Sequence, residues 1–349
     1  MSNLRATIKD VASAAGVSTA TVSRFLNCSG YVNDTTATRI RNAIDQTGYT
    51  PSLMARGLKT RHSRMLLLIV PDICNPFYSK MARQLQKLAQ ESDYILLLAD
   101  SDESMSKELE ALDLADKMNV EGVFFATIND NPETSTRLYS APYHAVGLNA
   151  FPADTPFDSV VVHHLGGTNL AVNHLVELGH SHIAFAGGTP GSIISNSRRN
   201  GFLHAMQKHS LQIEADDIVE IGFAQEDGFE AGRQFAARKK LPTAICCAND
   251  LIALGVIRAL NEAGLKVPDD VSVTGMDDIP YASISNPPLT TVSNDGGLFA
   301  EQAFKLMMEQ IEGYNGKPRQ AEIPNTLLVR ASTCPRRKDS DFTRRPNDG

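Results

Sequence analysis

Thr7-Ile8-Lys9-Asp10-Val11-Ala12-Ser13-Ala14-Ala15-Gly16-Val17-Ser18-Thr19-Ala20-Thr21-Val22-Ser23-Arg24-Phe25-Leu26 reads as two short helices around a sharp turn. Thr7 and Asp10 have the Thr-x-x-Asp spacing of a capping box, so one helix begins near Ile8. Val11, Ala12 and Ala15 give it a narrow apolar stripe, and Ala12 is small enough for a second helix to cross closely. Gly16 ends it where positive φ is easiest. Ser18 is an N-cap for the next helix, which buries Val22, Phe25 and Leu26. Thr19, Ala20, Thr21 and Ser23 are left exposed at its first turn, with Arg24 close behind. Small polar side chains plus one Arg suit a helix entering a DNA major groove, with N-terminal side chains on base edges and amides on phosphates. Any helical hairpin needs caps, a glycine and a stripe. The joint spacing of Ala12, Gly16, Val17, Val22 and Phe25 selects the helix-turn-helix.

The charge distribution supports that choice. The 349 residues carry a net charge of −7, which alone disfavours nucleic acid. Residues 1–64, however, hold nine Lys and Arg against three acids, leaving 24 against 37 for the rest. A basic head on an acidic body fits a DNA reader joined to something that does not touch DNA. With 42% hydrophobic and 21% charged residues the chain is globular, and its length calls for two or three domains. No apolar run reaches the roughly 20 residues of a membrane span and no secretory signal is recognisable, so a cytoplasmic location is expected. Five cysteines without C-x-x-C spacing are expected to be reduced thiols, with no zinc site or other cofactor.

Outward from the opening stretch, Asn33 or Asp34 caps a third helix with Ala37, Ile40, Ala43 and Ile44 inside and Gly48 closing it. Residues 51–64 form a linker. Its short helix around Leu53–Leu58 is too brief and too glycine-weakened to fold unaided. From Met65 strands alternate with helices. Predicted strands are 65–70, 94–99, 122–126 and 143–148, then 182–186, 218–221, 244–247 and 271–274, with helices at 77–91, 107–118, 168–178, 195–208, 227–237 and 250–263. This predicts two doubly wound parallel α/β lobes with a cleft where strand C-terminal ends converge. Asp72, Asn75, Phe77, Tyr78, Asn149, Arg198, Asn249, Asp250, Asp277 and Asp278 fall on those ends. They suit a polyhydroxylated or heterocyclic ligand, although helix capping explains Asn249-Asp250 equally well.

Ile8-Lys9-Asp10-Val11-Ala12, Gly16-Val17-Ser18, Thr21-Val22-Ser23-Arg24 and Gly48-Tyr49 with Pro51 resemble the headpiece of the lactose-repressor (LacI/GalR) family of bacterial transcription regulators. Pro71-Asp72-Ile73, Asn75-Pro76-Phe77, Leu178-Gly179-His180, Arg199-x-Gly201-Phe202, Asn249-Asp250, Gly275-Met276-Asp277-Asp278 and Pro287-Pro288-Leu289-Thr290-Thr291-Val292 extend the likeness over about residues 6–333. The resemblance implies a multi-domain chain with three parts and a tail. An all-α helix-turn-helix headpiece covers 1–50 and a hinge helix and linker 51–64. A two-lobe domain like periplasmic sugar-binding proteins covers 65–333, and a disordered tail 334–349. Lobe 1 would hold about 65–161 and 293–323, lobe 2 about 162–292 and 324–333.

It also implies a homodimer on near-palindromic double-stranded operator DNA. The DNA-facing set is Thr7, Ser18, Thr19, Ala20, Thr21, Ser23, Arg24 and Asn27, with Ala55 and the wedge Leu58 from the hinge. Asp72, Phe77, Tyr78, Asn149, Arg198, Asn249 and Asp277 would bind a small effector: a sugar, nucleoside or purine. Three places depart from the family pattern. Asn149 stands where Asp is usual, and His163-His164 replaces a common Asp-Asn. The stacking aromatic after Gly222 is Ala224, with Phe223 one place early, so a register slip either rescues the platform or leaves it missing. His163-His164 and His180-x-His182 read as surface or capping residues rather than metal ligands. No leucine heptads support a terminal coiled coil. The expected function is a ligand-responsive regulator, a repressor of a sugar or nucleoside operon. An enzyme of this fold class would show a phosphate-cradling glycine loop or a nucleophile with a base, and a stand-alone transport-type binding protein would lack the headpiece.

Overall fold

The computed structural model describes residues 6–26, 30–50, 62–129 and 131–336. Two compact units divide between Arg64 and Met65. In the first, α1 (Ile8–Ala15), α2 (Thr19–Leu26) and α3 (Asp34–Thr47) enclose a core of Val11, Ala12, Ala15, Val22, Ile40 and Ala43. Asp10 starts α1 by accepting from both the amide and the hydroxyl of Thr7, each at 2.7 Å, and these bonds hold its carboxyl below the ordinary value. Ser18 Oγ caps α2 through the Thr21 amide at 3.1 Å, and Asn33 Oδ1 caps α3 through Thr36 at 2.8 Å. Gly16 ends α1 at φ 63°, and a β-carbon there would sit 2.7 Å from Arg39 Nη2. That guanidinium donates to the carbonyls of Ala15 and Gly16, tying the turn to α3 and satisfying helix-end carbonyls.

The second unit holds two six-stranded sheets. The first uses β1 (Met65–Val70), β2 (Ile95–Asp100), β3 (Gly122–Ala126), β4 (His144–Asn149), β5 (Asp158–Val162) and β11 (Gln320–Ile323), in the order 11-5-4-3-1-2. The second uses β6 (Ile183–Gly187), β7 (Ile218–Glu220), β8 (Ala244–Cys247), β9 (Ser272–Met276), β10 (Thr290–Ser293) and β12 (Thr326–Leu328), in the order 12-10-9-8-6-7. Every pair is parallel except β10 with β12. Helices cover these sheets: α4 (Pro76–Glu91), α5 (Met105–Met118) and α6 (Pro132–Ser140), then α7 (His164–Glu177), α8 (Ile193–Lys208), α9 (Gln225–Ala236), α10 (Asp250–Glu262), α11 (Pro280–Ile284) and α12 (Gly296–Ile311). Covered faces explain why strands such as Met65-Leu66-Leu67-Leu68-Ile69-Val70 are continuous apolar runs, all six buried. The chain passes between sheets three times: after β5, after β10 and between β11 and β12.

The predicted elements match these within a few residues, with informative exceptions. The Gly166-Gly167 pair hid the first turn of α7, which starts at His164 and is held by the Gly167 amide on His163 O at 2.9 Å. The polar helix α6 and the glycine-led α12, capped by Asn131 and Asp295, were not predicted. Residues 334–336, expected to belong to a disordered tail, are bonded to the second lobe. The Cys334 carbonyl bonds His180 Nε2 at 3.0 Å, and Arg336 donates to Ser181 Oγ at 2.8 Å. Residues 337–349 and the predicted hinge helix lie outside the described residues.

Candidate functional site

In each sheet the strand order reverses beside its first strand, and loops leaving the C-terminal ends there meet in one cleft. Asp72, Phe77, Tyr78, Asn149, Arg198, Asn249 and Asp277 all line it, joined by Pro71, Asn75, Glu103, Ile128, Ile194 and Phe223. The cavity between the walls is about 30 Å3, room for one or two water molecules.

The lobe 2 wall is a hydrogen-bond network centred on Arg198, in which His164 Nε2 alone of the named groups is left buried with no partner. Arg198, 3% exposed, donates from Nε to His164 Nδ1 at 3.2 Å, from Nη1 to Ala248 O, and from Nη2 to Asp277 Oδ1 at 2.9 Å. Asp277 Oδ1 also accepts from Asn294 Nδ2 at 3.0 Å, and Asn294 Oδ1 accepts from Asn325 Nδ2 at 2.8 Å. Asn294, Asn325 and His164 stand at the three passages between lobes, so the cleft guanidinium and carboxylate are wired to every crossover. Burial raises the Asp277 carboxyl despite Arg198, and burial, then Arg198, holds His164 far below the ordinary imidazole value. His164 is therefore a neutral acceptor beneath Arg198, not the surface or capping residue expected. His180, expected likewise, is buried against Thr243 and Cys334. Asn249 does cap α10, accepting from the Ile252 amide at 2.8 Å, while its Nδ2 donates to Phe223 O at 3.0 Å. That bond helps set the loop that turns Phe223 toward the cleft. Its ring lies over Gly188, where a β-carbon would be 2.1 Å away. The aromatic one place early thus reaches the cavity wall.

The lobe 1 wall is less complete. Asp72 Oδ1 accepts from the Cys74 amide at 2.7 Å, and Asn75 caps α4 through Phe77 N at 3.0 Å. Phe77 is mainly core, edge-on to Tyr78 and Phe299. Burial, then Asp277, pushes the Tyr78 hydroxyl pKa up. Asn149, at φ 82° and 2% exposed, donates weakly to Tyr78 Oη at 3.4 Å and leaves Oδ1 buried with no partner. Two bonds fasten this wall to lobe 2: the Ile193 amide on Ile128 O at 3.0 Å and Thr189 Oγ1 on Glu103 Oε2 at 3.2 Å. Around them Ile128, Ala150 and Ile194 form an apolar clasp with Ile193 and Phe223. Glu103, Ile128 and Ile194 were absent from the predicted site; an acid following a strand end was the one signal available for Glu103.

In the first unit Thr7, Ser18, Thr19, Ala20 and Arg24 are exposed, with Thr21 and Ser23 half-buried. Ser18 and Thr21 share a hydroxyl bond of 2.9 Å, and the Arg24 side chain runs alongside Gly30. Asn27, Ala55 and Leu58 lie outside the described residues.

Residues 7–52 match the bacterial regulatory proteins of the lacI family, and residues 172–333 match a periplasmic binding protein-like domain. The HTH-type transcriptional regulator DegA of Bacillus subtilis is 32% identical over 95% of this chain and 99% of its own length. The chain belongs to the lacI family. Another relative, the HTH-type transcriptional repressor PurR of Mannheimia succiniciproducens, is 31% identical over 94% of this chain and 98% of its own. The Lac repressor dimer bound to operator and the anti-inducer ONPF superposes with a TM-score of 0.85 at 27% identity, covering 95% of this chain and 99% of that one. The protein is a DNA-binding transcriptional regulator with an effector-binding type of two-lobe domain. Among the described residues no helix is long and apolar enough to cross a membrane.

Proposed function

We propose that this chain is a cytoplasmic, effector-controlled repressor, acting as a homodimer on a near-palindromic operator and catalysing no reaction. The exposed first turn of α2 supplies the readout: Thr19, Ala20 and Arg24 toward base edges, with Thr7, Ser18, Thr21, Ser23 and Asn27 serving contact or positioning, and Ala55 and Leu58 entering the minor groove. Asp72, Phe77, Tyr78, Asn149, Arg198, Asn249 and Asp277 take the effector, and Phe223 is added as the apolar platform. The observation that carries this is the convergence of all seven cleft residues on one cavity bonded to the three crossovers. A ligand of sugar or nucleoside size exceeds 30 Å3, so it binds with the lobes parted or reset, and its leverage equals its differential affinity for the two arrangements. Exposed Tyr281 and Ile284 in lobe 2, and Ile95 and Leu98 on the edge strand β2, are apolar surface for the second copy.

Operator selection from random duplexes, with and without candidate sugars and nucleosides, tests the reading. The expected result is an enriched near-palindrome whose recovery changes with one class of ligand; no enrichment at physiological salt would overturn it. Arg24→Ala is expected to lower affinity for the enriched site by about 1–3 kcal/mol relative to random DNA in gel-shift titration.

A further inference from the structure

The cleft's charge is unbalanced, and the imbalance is confined to one wall. Three carboxylates line the cavity, Asp72, Glu103 and Asp277, against one guanidinium, Arg198. Arg198 and Asp277 neutralise each other, with three Arg198 nitrogens already bonded to protein acceptors. Asp72 and Glu103 have no ion-pair partner among the described residues, and Asp227 lies near enough to Glu103 to add to the same field. The buried Asn149 Oδ1 on that wall is also without a partner. Carboxylate oxygens and an amide oxygen are acceptors, so the lobe 1 wall carries open acceptors and negative charge that no cationic side chain in the lining of that wall balances. Opposite it, Phe223 and Ile194 offer an apolar surface for a flat ring, with Ile128 of lobe 1 packed at their edge.

We propose that the effector is a small neutral or cationic ligand bearing an amino group, an amino-substituted nucleoside or an amino sugar, which places its N–H donors against Asp72, Glu103 and Asn149, and that phosphorylated counterparts are rejected. This rests on the cleft being the effector site. A phosphate would bring about two negative charges beside two uncompensated carboxylates, in a closing site where like charges have little water between them. Discrimination therefore comes from repulsion as well as from paired donors.

The test is isothermal titration of the full chain with matched probes: adenosine, cytidine and glucosamine, each against its monophosphate, with inosine, uridine and glucose as the respective partners lacking the amino group. At least one amino-bearing probe is expected to bind, at least tenfold tighter than its monophosphate and than its amino-lacking partner. In Asp72→Asn/Glu103→Gln the preference over monophosphate is expected to fall below threefold. Glu103→Gln alone carries the same comparison, with a smaller drop, should the double variant melt early in circular dichroism. Tighter binding of any monophosphate, unchanged discrimination in the folded variant, or no binding by any amino-bearing probe would each overturn the proposal. In that last case, operator selection that still succeeds isolates the failure to the ligand class, whereas loss of selection as well would sink the regulator reading itself.

Discussion

The two walls of the cleft are built on opposite principles. On the lobe 2 side Arg198, Asp277, Asn294, Asn325 and His164 bond one another before any ligand arrives. On the lobe 1 side Asp72, Glu103 and Asn149 keep unspent acceptors. A buried network whose charged members bond one another is rigid and costly to break, while open acceptors facing a cavity are a demand on whatever enters. Lobe 2 is thus an anchor connected to the crossovers, and lobe 1 is the selective jaw.

The largest expected effect tests the anchor. Arg198→Ala leaves Asp277, whose side chain is 6% exposed, as an uncompensated buried charge, and should lower unfolding stability by about 3–5 kcal/mol in urea melts. Glu103→Gln, on half-exposed ground, should change stability by less than about 1 kcal/mol. Equal losses would erase the distinction between the walls.

Next comes the pH dependence of the anchor. An unfolded histidine titrates near 6.5, whereas burial and Arg198 hold His164 far below that in the fold. Between those values the unfolded chain binds a proton that the folded chain refuses, so the contribution of His164 to stability falls as pH drops below about 6.5. His164→Asn keeps a neutral acceptor and removes this titration. The expected difference in slope is up to about 1.4 kcal/mol per pH unit. The raised Asp277 carboxyl acts with the opposite sign, losing its contribution as pH rises through its shifted value. The comparison is therefore made between variant and wild type; identical slopes would show that His164 does not carry the proton linkage.

Residues at strand ends were legible because a parallel sheet forces its loops to converge at one edge. Asp72, Asn149, Asn249 and Asp277 needed no more than element order to be brought together, whereas Arg198, expected on a loop before a helix, stands inside α8 and was placed in the cleft by the family resemblance. Caps at Ser18 and Asn33 and the left-handed Gly16 were legible because their chemistry is local. His164, Thr189 and Arg39 were not. Each acts through a partner 23 to 86 positions away, fixed by packing rather than by spacing. The same holds for Phe223, whose one-place shift was readable but whose direction depends on Asn249 and on the bare backbone of Gly188.

The smallest predicted effect concerns the seam between the walls. Thr189→Val preserves shape and deletes the bond to Glu103, at a net cost of about 0.5–1.5 kcal/mol. The low end applies because Glu103 stays partly wet and regains solvent. That free energy belongs to the closed arrangement alone, so it should enlarge the open fraction about 2- to 10-fold rather than unfold either lobe. Amide exchange at Ile193, whose N–H bridges to Ile128 O, should speed up by that factor while exchange in β6 and β8 stays unchanged. Acceleration spread evenly through lobe 2 would mean that Thr189 supports the anchor itself, and the division between anchor and jaw would have to be redrawn around it.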